Sequence, residues 1–219
     1  MSNTYGNAIE ATKRVAIITY GRFNPPTVGH KAMITRMLEL AVKEDADPYI
    51  VVSHSQNSKK NPLFVPEKLH ILRRMYPDET AVRILHTTKA EPFIAKVVQN
   101  LLTHGYKRII MVVGSDRVTD FQKVFQHFPM VTVVSGGERN MNSNVLDNIS
   151  TVSATKVRAA AVSGNRATFR SGINAAVPEE ELDELMATLK ERLNVPLKKT
   201  TVKRARGGRR RRTTRKVRK

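Results

Sequence analysis

Ten residues from Gly21 to His30, GRFNPPTVGH, place a histidine behind a loop that two glycines and two prolines constrain. Gly21, Pro25, Pro26 and Gly29 leave the main chain few paths and let it approach a ligand closely. An apolar run precedes this loop and a helical pattern follows it, so the loop opens into a helix amino terminus. Free N–H groups and the positive end of the helix dipole favour phosphate there, and His30 falls in the first turn, able to donate to a phosphate oxygen. A plain strand-to-helix turn with a surface histidine is the competing description. The spacing is neither GxxxxGK[ST] nor GxGxxG, which sets aside those two kinds of phosphate binder.

A second segment, Ser153-Ala154-Thr155-Lys156-Val157-Arg158, has related physics. Ser153 is a good helix cap, Thr155 puts a hydroxyl beside the exposed amides, and Arg158 lies one turn on. A polyphosphate would meet hydroxyls, backbone donors and a guanidinium together; an ordinary capped helix with an exposed arginine would look the same. Gly114-Ser115-Asp116 follows an apolar run, and Asp116 can cap a helix, bind a ligand, or do both. Ser55 to Leu63, SQNSKKNPL, carries the adjacent Lys59 and Lys60, either of which can face phosphate or water. His54, His70, His86, His104 and His127 show no metal-ligand spacing.

Together these segments resemble the (H/T)xGH and ISSTxxR elements of the nucleotidyltransferase superfamily that includes nicotinamide-mononucleotide and pantetheine-phosphate adenylyltransferases and the related cytidylyltransferases. The resemblance implies that His30 contacts triphosphate oxygens and stabilises the transition state, with Arg158 offsetting charge beside it. It also implies a nucleotide-binding set of Gly21, Arg22, Phe23, Asn24, Thr27, Gly29, Lys59, Lys60, Gly114, Ser115, Asp116, Ser153 and Thr155. Thr27 stands where the strict HxGH form has its first histidine; several adenylyltransferases carry threonine there, which weakens the cytidylyltransferase reading. The implied reaction transfers a nucleotidyl group, AMP from ATP, to a phosphorylated small-molecule acceptor and releases pyrophosphate, with a nicotinamide nucleotide as the leading acceptor. Magnesium is expected to enter with the nucleoside triphosphate, held mainly by phosphate oxygens, and no protein metal ligand is assigned. From Ser153 through SGNRATFRSGI the chain also resembles nucleotidyltransferases encoded by large tailed phages.

The elements needed to position these residues are legible as alternating runs. Val15–Tyr20, Tyr49–Ser53, Val82–Leu85, Ile109–Val113 and Val131–Val134 read as strands. Gly29–Lys43, Pro66–Met75, Pro92–Leu102, Asp116–Phe125, Ser153–Val162 and Pro178–Leu193 read as helices. Strand and helix in alternation predict an α/β fold, a Rossmann-like single domain with a mostly parallel five-stranded sheet, in which ligands bind beyond the carboxyl ends of the strands at the switch point. We expect a flexible segment at 1–13, the nucleotidyltransferase domain at 14–175, a carboxy-terminal helix at 176–195 and a disordered basic tail at 196–219.

Composition supports one core domain: 219 residues, 40% hydrophobic and without cysteine. No disulfide framework or thiolate zinc site is available, and no apolar run reaches the roughly 20 residues of a membrane span. No secretory signal is evident, so a soluble cytoplasmic protein is expected, in the host cytoplasm if phage-encoded, with oligomerisation possible. The net charge of +19 is uneven. Thirteen of the 38 Lys and Arg residues fall between Lys198 and Lys219 with no acidic residue among them, leaving 25 basic against 19 acidic residues before that point, a net +6. Such a tail repels itself and cannot bury enough surface to fold. Nucleic acid is its expected partner, with an anionic membrane or protein surface, a localisation signal or a solubilising role as alternatives. A second function class therefore stands beside the enzyme: a nucleic-acid-associated or virion-packaged protein that keeps the fold and works through its tail.

Overall fold

The computed structural model describes residues 11–57, 59–78, 82–137, 152–173 and 176–194. The expected segments 1–13 and 196–219 lie wholly or almost wholly outside them.

Five parallel strands, β1 (Val15–Gly21), β2 (Ala46–Val52), β3 (Arg83–His86), β4 (Arg108–Val113) and β5 (Val131–Ser135), form one sheet in the order β3-β2-β1-β4-β5. The helices are α1 (Val28–Lys43), α2 (Val65–Met75), α3 (Ile94–Thr103), α4 (Val118–Val124), α5 (Ala154–Ser163), α6 (Arg166–Gly172) and α7 (Glu179–Asn194). Chain direction across the sheet reverses between β1 and β4, so the switch point falls where the two glycine-bearing loops emerge.

Alternation along each strand sorts side chains onto two faces. Ile18, Tyr49, Val51 and Met111 meet Val97, Val98 and Leu101 of α3 on one side. Ile17, Ile50 and Val112 meet Ile34 and Met37 of α1 and Leu72 of α2 on the other. A third core lies off the sheet, where Val157 and Ala161 of α5, Phe169 of α6 and Leu182, Leu185 and Leu189 of α7 close over Ile71 and Met75 of α2. No helix among the described residues is long and apolar enough to cross a membrane.

Three departures from the sequence reading have local causes. β2 starts at Ala46, three residues before the expected Tyr49, although Asp and Pro are poor strand formers. β3 pairs with β2 only from Tyr49 onward, so Pro48 sits where that ladder has not begun, and the Asp47 carboxylate finds partners of its own. The helix expected from Asp116 is broken into a 3-10 turn, Ser115–Arg117, and α4, with Arg117 at φ −117° between them. α6 was not expected at all: seven residues long, it buries only Phe169 and Gly172 and offers no apolar period.

Beneath the sheet's amino-terminal edge is a buried polar network. Asp47 accepts from the amides of Thr12 and Lys13, from the Thr12 hydroxyl at 2.5 Å and from the Tyr106 hydroxyl at 2.6 Å. Arg83 reaches Asp47 at 3.3 Å and the Tyr49 hydroxyl at 3.1 Å. Burial alone would raise the Asp47 pKa, but the hydrogen bonds from Thr12 and Tyr106, the Lys13 amide and the Arg83 charge outweigh it and hold the carboxyl below its ordinary value.

Candidate functional site

At the opposite edge, a cavity of about 860 Å³ opens between the ends of β1 and β4 and the amino termini of α1 and α5. Its walls hold Arg22, Lys59, Lys60, Arg117, Arg158 and His30, and Asp116 is the one carboxylate among the described residues that line it. A surface of that sign attracts polyanions.

His30 sits at the third position of α1 and turns back on its own cap. The Thr27 amide donates to His30 Nδ1 at 3.1 Å, and the Thr27 hydroxyl lies 2.8 Å from the same nitrogen. An amide N–H can only donate, so Nδ1 is an acceptor and the ring proton is on Nε2. Phe23, itself buried, stacks at a tilt against the imidazole with ring centroids 4.8 Å apart. Phe23 holds a positive φ of 45°, which a bulky residue adopts only under strong constraint. Gly29 is fixed by contact: a Cβ at that position would lie 2.0 Å from the carbonyl oxygen of Val152, so α1 and the segment leading into α5 meet backbone to backbone.

Arg158 is held in two places, donating from Nη1 to the Asn24 carbonyl at 2.6 Å and from Nη2 to the Thr155 hydroxyl at 3.1 Å. Ser153 caps α5 by accepting from the Lys156 amide. Burial first, and then the nearby positive charge of Arg22, lower the pKa of Arg158. Like charge on Arg22 and Arg158, both in this wall, leaves an anion as the natural third party.

Asn24 is a tie between loops. Its side chain donates to the Leu63 carbonyl and accepts from the Leu63 amide, each at 3.0 Å, which joins the loop after β1 to the loop bearing Lys59 and Lys60. In that second loop the Asn57 carboxamide oxygen accepts from the amides of Lys59, Lys60 and Asn61. At its start, Lys68 of α2 lies fully buried and donates to the carbonyls of Ser53 and Ser55, both at 2.9 Å. Burial lowers its pKa to about 8.

Of the residues named from sequence, Gly21, Arg22, Phe23, Asn24, Thr27, Gly29, His30, Lys59, Lys60, Gly114, Asp116, Ser153, Thr155 and Arg158 share this one cavity, and Ser115 does not line it. Lys59 and Lys60 both border it. Sequence reasoning missed Tyr20, Met33, Asn61, Arg117, Phe121 and Leu193 among the lining residues. Arg117, next to Asp116 in a helical first turn, was within reach of the motif argument; Leu193, at the end of α7, carried no local signal.

A curated relative, a probable nicotinate-nucleotide adenylyltransferase of Sulfurimonas denitrificans, is 26% identical over 102 residues, 45% of this chain and 54% of that protein. The match thus spans about half the length of the curated relative. The solved structure of the Plasmodium falciparum nicotinic acid mononucleotide adenylyltransferase complexed with APC superposes over 80% of this chain and 95% of its own, with a TM-score of 0.53 at 12% identity. The same enzyme complexed with NaAD gives a TM-score of 0.51 at 13% identity over the same shares. At those identities the likeness is one of fold. Residues 18–160 match the cytidylyltransferase-like family model, and the chain belongs to that family.

Proposed function

We propose that this chain is a nucleotidyltransferase of the adenylyltransferase kind, transferring AMP from ATP to the phosphate of a pyridine mononucleotide. The observation that carries the reading is the cavity wall itself: a histidine with its proton fixed on Nε2 beside five cationic side chains, at the switch point of a parallel sheet. The acceptor is taken from the nicotinate-nucleotide relatives, and the donor from the same source.

In this mechanism an oxygen of the acceptor phosphate attacks the α-phosphorus of the triphosphate. A new P–O bond forms, the bond to the bridging oxygen of the β-phosphate breaks, and pyrophosphate leaves with the electron pair. The protein contributes placement and charge. His30 donates from Nε2 to an oxygen whose charge grows, while Arg158, already fixed by Asn24 and Thr155, offsets negative charge without first having to reorganise. Lys59, Lys60 and Arg22 hold the leaving pyrophosphate, and the amino termini of α1 and α5 add backbone donors. A wall with one carboxylate and five cations fits a magnesium ion carried in by phosphate oxygens, with Asp116 the available protein acceptor for the ion or its water. Bound there, the ion would neutralise phosphate charge.

Incubating the pure protein with each triphosphate, magnesium and a panel of phosphorylated acceptors, the nicotinate and nicotinamide mononucleotides included, should release pyrophosphate. His30→Ala should lower kcat by about 10²- to 10³-fold, the scale of losing one preorganised donor. Absence of turnover with every pair would sink the enzymatic reading.

A separate observation favours a second role for the same chain: thirteen Lys and Arg without an acidic residue from Lys198 to Lys219. This segment binds nucleic-acid backbone without reading sequence. The 219-residue chain should bind duplex DNA or RNA with an affinity that falls steeply with salt, and a chain ending at Leu197 should bind at least about tenfold more weakly at low salt. Equal binding by the two would rule the role out.

A further inference from the structure

The carboxyl end of α7 touches the phosphate-facing wall from outside the part of the chain that the family model matches, residues 18–160. Leu193 lines the cavity there, and Arg192 beside it grips the loop that carries Lys59 and Lys60. Its guanidinium forms a two-pronged pair with Glu67, Nη1 to Oε2 and Nη2 to Oε1, both at 2.7 Å. The same Nη1 donates to the Pro62 carbonyl at 3.0 Å, and the guanidinium lies over the Phe64 ring, 4.7 Å from its centroid. Glu67 Oε2 in turn accepts from the Phe64 amide at 2.7 Å. Residues 62 to 64 are thus held at one carbonyl, one ring and one amide by a single cation and its carboxylate partner.

Those residues are the carboxyl end of the loop that carries Lys59 and Lys60. The middle one, Leu63, is the one that Asn24 grips through both amide and carbonyl, and the Asn24 carbonyl is the acceptor that fixes Arg158. A continuous bonded path therefore runs from α7 through Pro62, Leu63 and Asn24 to the guanidinium inside the cavity. Arg192 and Glu67 are both partly exposed, a setting in which an ion pair adds little to global stability. Its effect is on geometry.

We propose that Arg192 is a positioning residue for the phosphate site: it fixes the Lys59–Lys60 loop and, through Leu63 and Asn24, the bearing of Arg158. The proposal rests on the reading that the cavity takes a nucleoside triphosphate. A point charge on a flexible stem cannot replace the planar fork, so lysine at this position should restore the function only in part.

The test uses five proteins: the wild type, Arg192→Met, Arg192→Lys, a Lys59→Met/Lys60→Met double variant, and the triple combination of that pair with Arg192→Met. Hydrogen exchange is read in peptides covering residues 57–64, and binding of ATP and of inorganic pyrophosphate is read by calorimetry. Arg192→Met should speed exchange in 57–64 while leaving β1 and β4 protected, and should weaken binding of both ligands about tenfold, the scale of a lost charge-assisted contact. The triple variant should bind less than about tenfold more weakly than the lysine pair variant, because part of the Arg192 effect runs through those lysines and only the remainder through Arg158. Arg192→Lys should fall between wild type and Arg192→Met, which keeps the question answerable if the methionine variant folds poorly. Unchanged exchange in 57–64, or a further tenfold loss in the triple variant, would overturn the assignment. Faster exchange in a protein that binds no triphosphate would uphold the clamp and overturn the reading of the site instead.

Discussion

His30 receives the Thr27 amide on Nδ1, so its ring presents a donor and not an acceptor to whatever occupies the cavity. A threonine suits this arrangement because its hydroxyl reaches the same nitrogen. The role of Gly29 is steric. With the Val152 carbonyl 2.0 Å from where a Cβ would stand, and both partners backbone, no rotamer change relieves the clash. Gly29→Ala should push the start of α1 away from the start of α5 and separate His30 from Arg158. Turnover at saturating triphosphate, followed as pyrophosphate release, should then fall about a hundredfold, the scale of an ångström-sized misplacement of reacting groups. A Gly29→Ala protein of normal activity would show that the two helix ends move independently.

Among the elements, those with an unambiguous period were legible and those held by tertiary contacts were not. β1, α1 and β4 announced themselves because their apolar residues repeat at the spacing of a doubly covered strand or a one-sided helix. α6 escaped notice because, although Asn165 is a good cap, its two buried residues are too few to set a period. The early start of β2 was hidden because Asp47 and Pro48 argue for a loop until Thr12, thirty-five residues away, supplies the hydroxyl and amide that the carboxylate accepts. At the site, the motif residues could be named because glycine, proline, histidine and capping residues have local physics. Lys68 and Arg192 could not: each works by gripping carbonyls of a distant segment, and a lysine or arginine on a helix otherwise reads as a solvated face.

The molecule as a whole divides its polar interior between the two edges of one sheet. At the carboxyl edge, cations outnumber carboxylates around an open cavity. At the amino edge, Asp47, Tyr49, Arg83 and Tyr106 satisfy one another in a closed network, with Thr12 tying down the segment that leads into β1. Asp47→Asn should lower the free energy of unfolding by about 2 to 4 kcal/mol, since it strips the charge from a buried carboxylate while its donor Tyr106 stays buried beside it. Because the Asp47 pKa is lower folded than unfolded, the wild type holds this contribution above the ordinary carboxyl value of 3.8 and loses it as pH falls through the depressed one. Urea midpoints at pH 7 and pH 3 should therefore differ less for Asp47→Asn than for the wild type; an equal acid-side loss would place the sensitivity elsewhere. The carboxyl edge answers to other variables. Burial, and after it the charge of Arg22, disfavour the Arg158 cation, and a polyanion bound beside it would offset both. On the proposed function, occupancy and folding are linked by mass action, so added ATP should raise the temperature at which the protein unfolds.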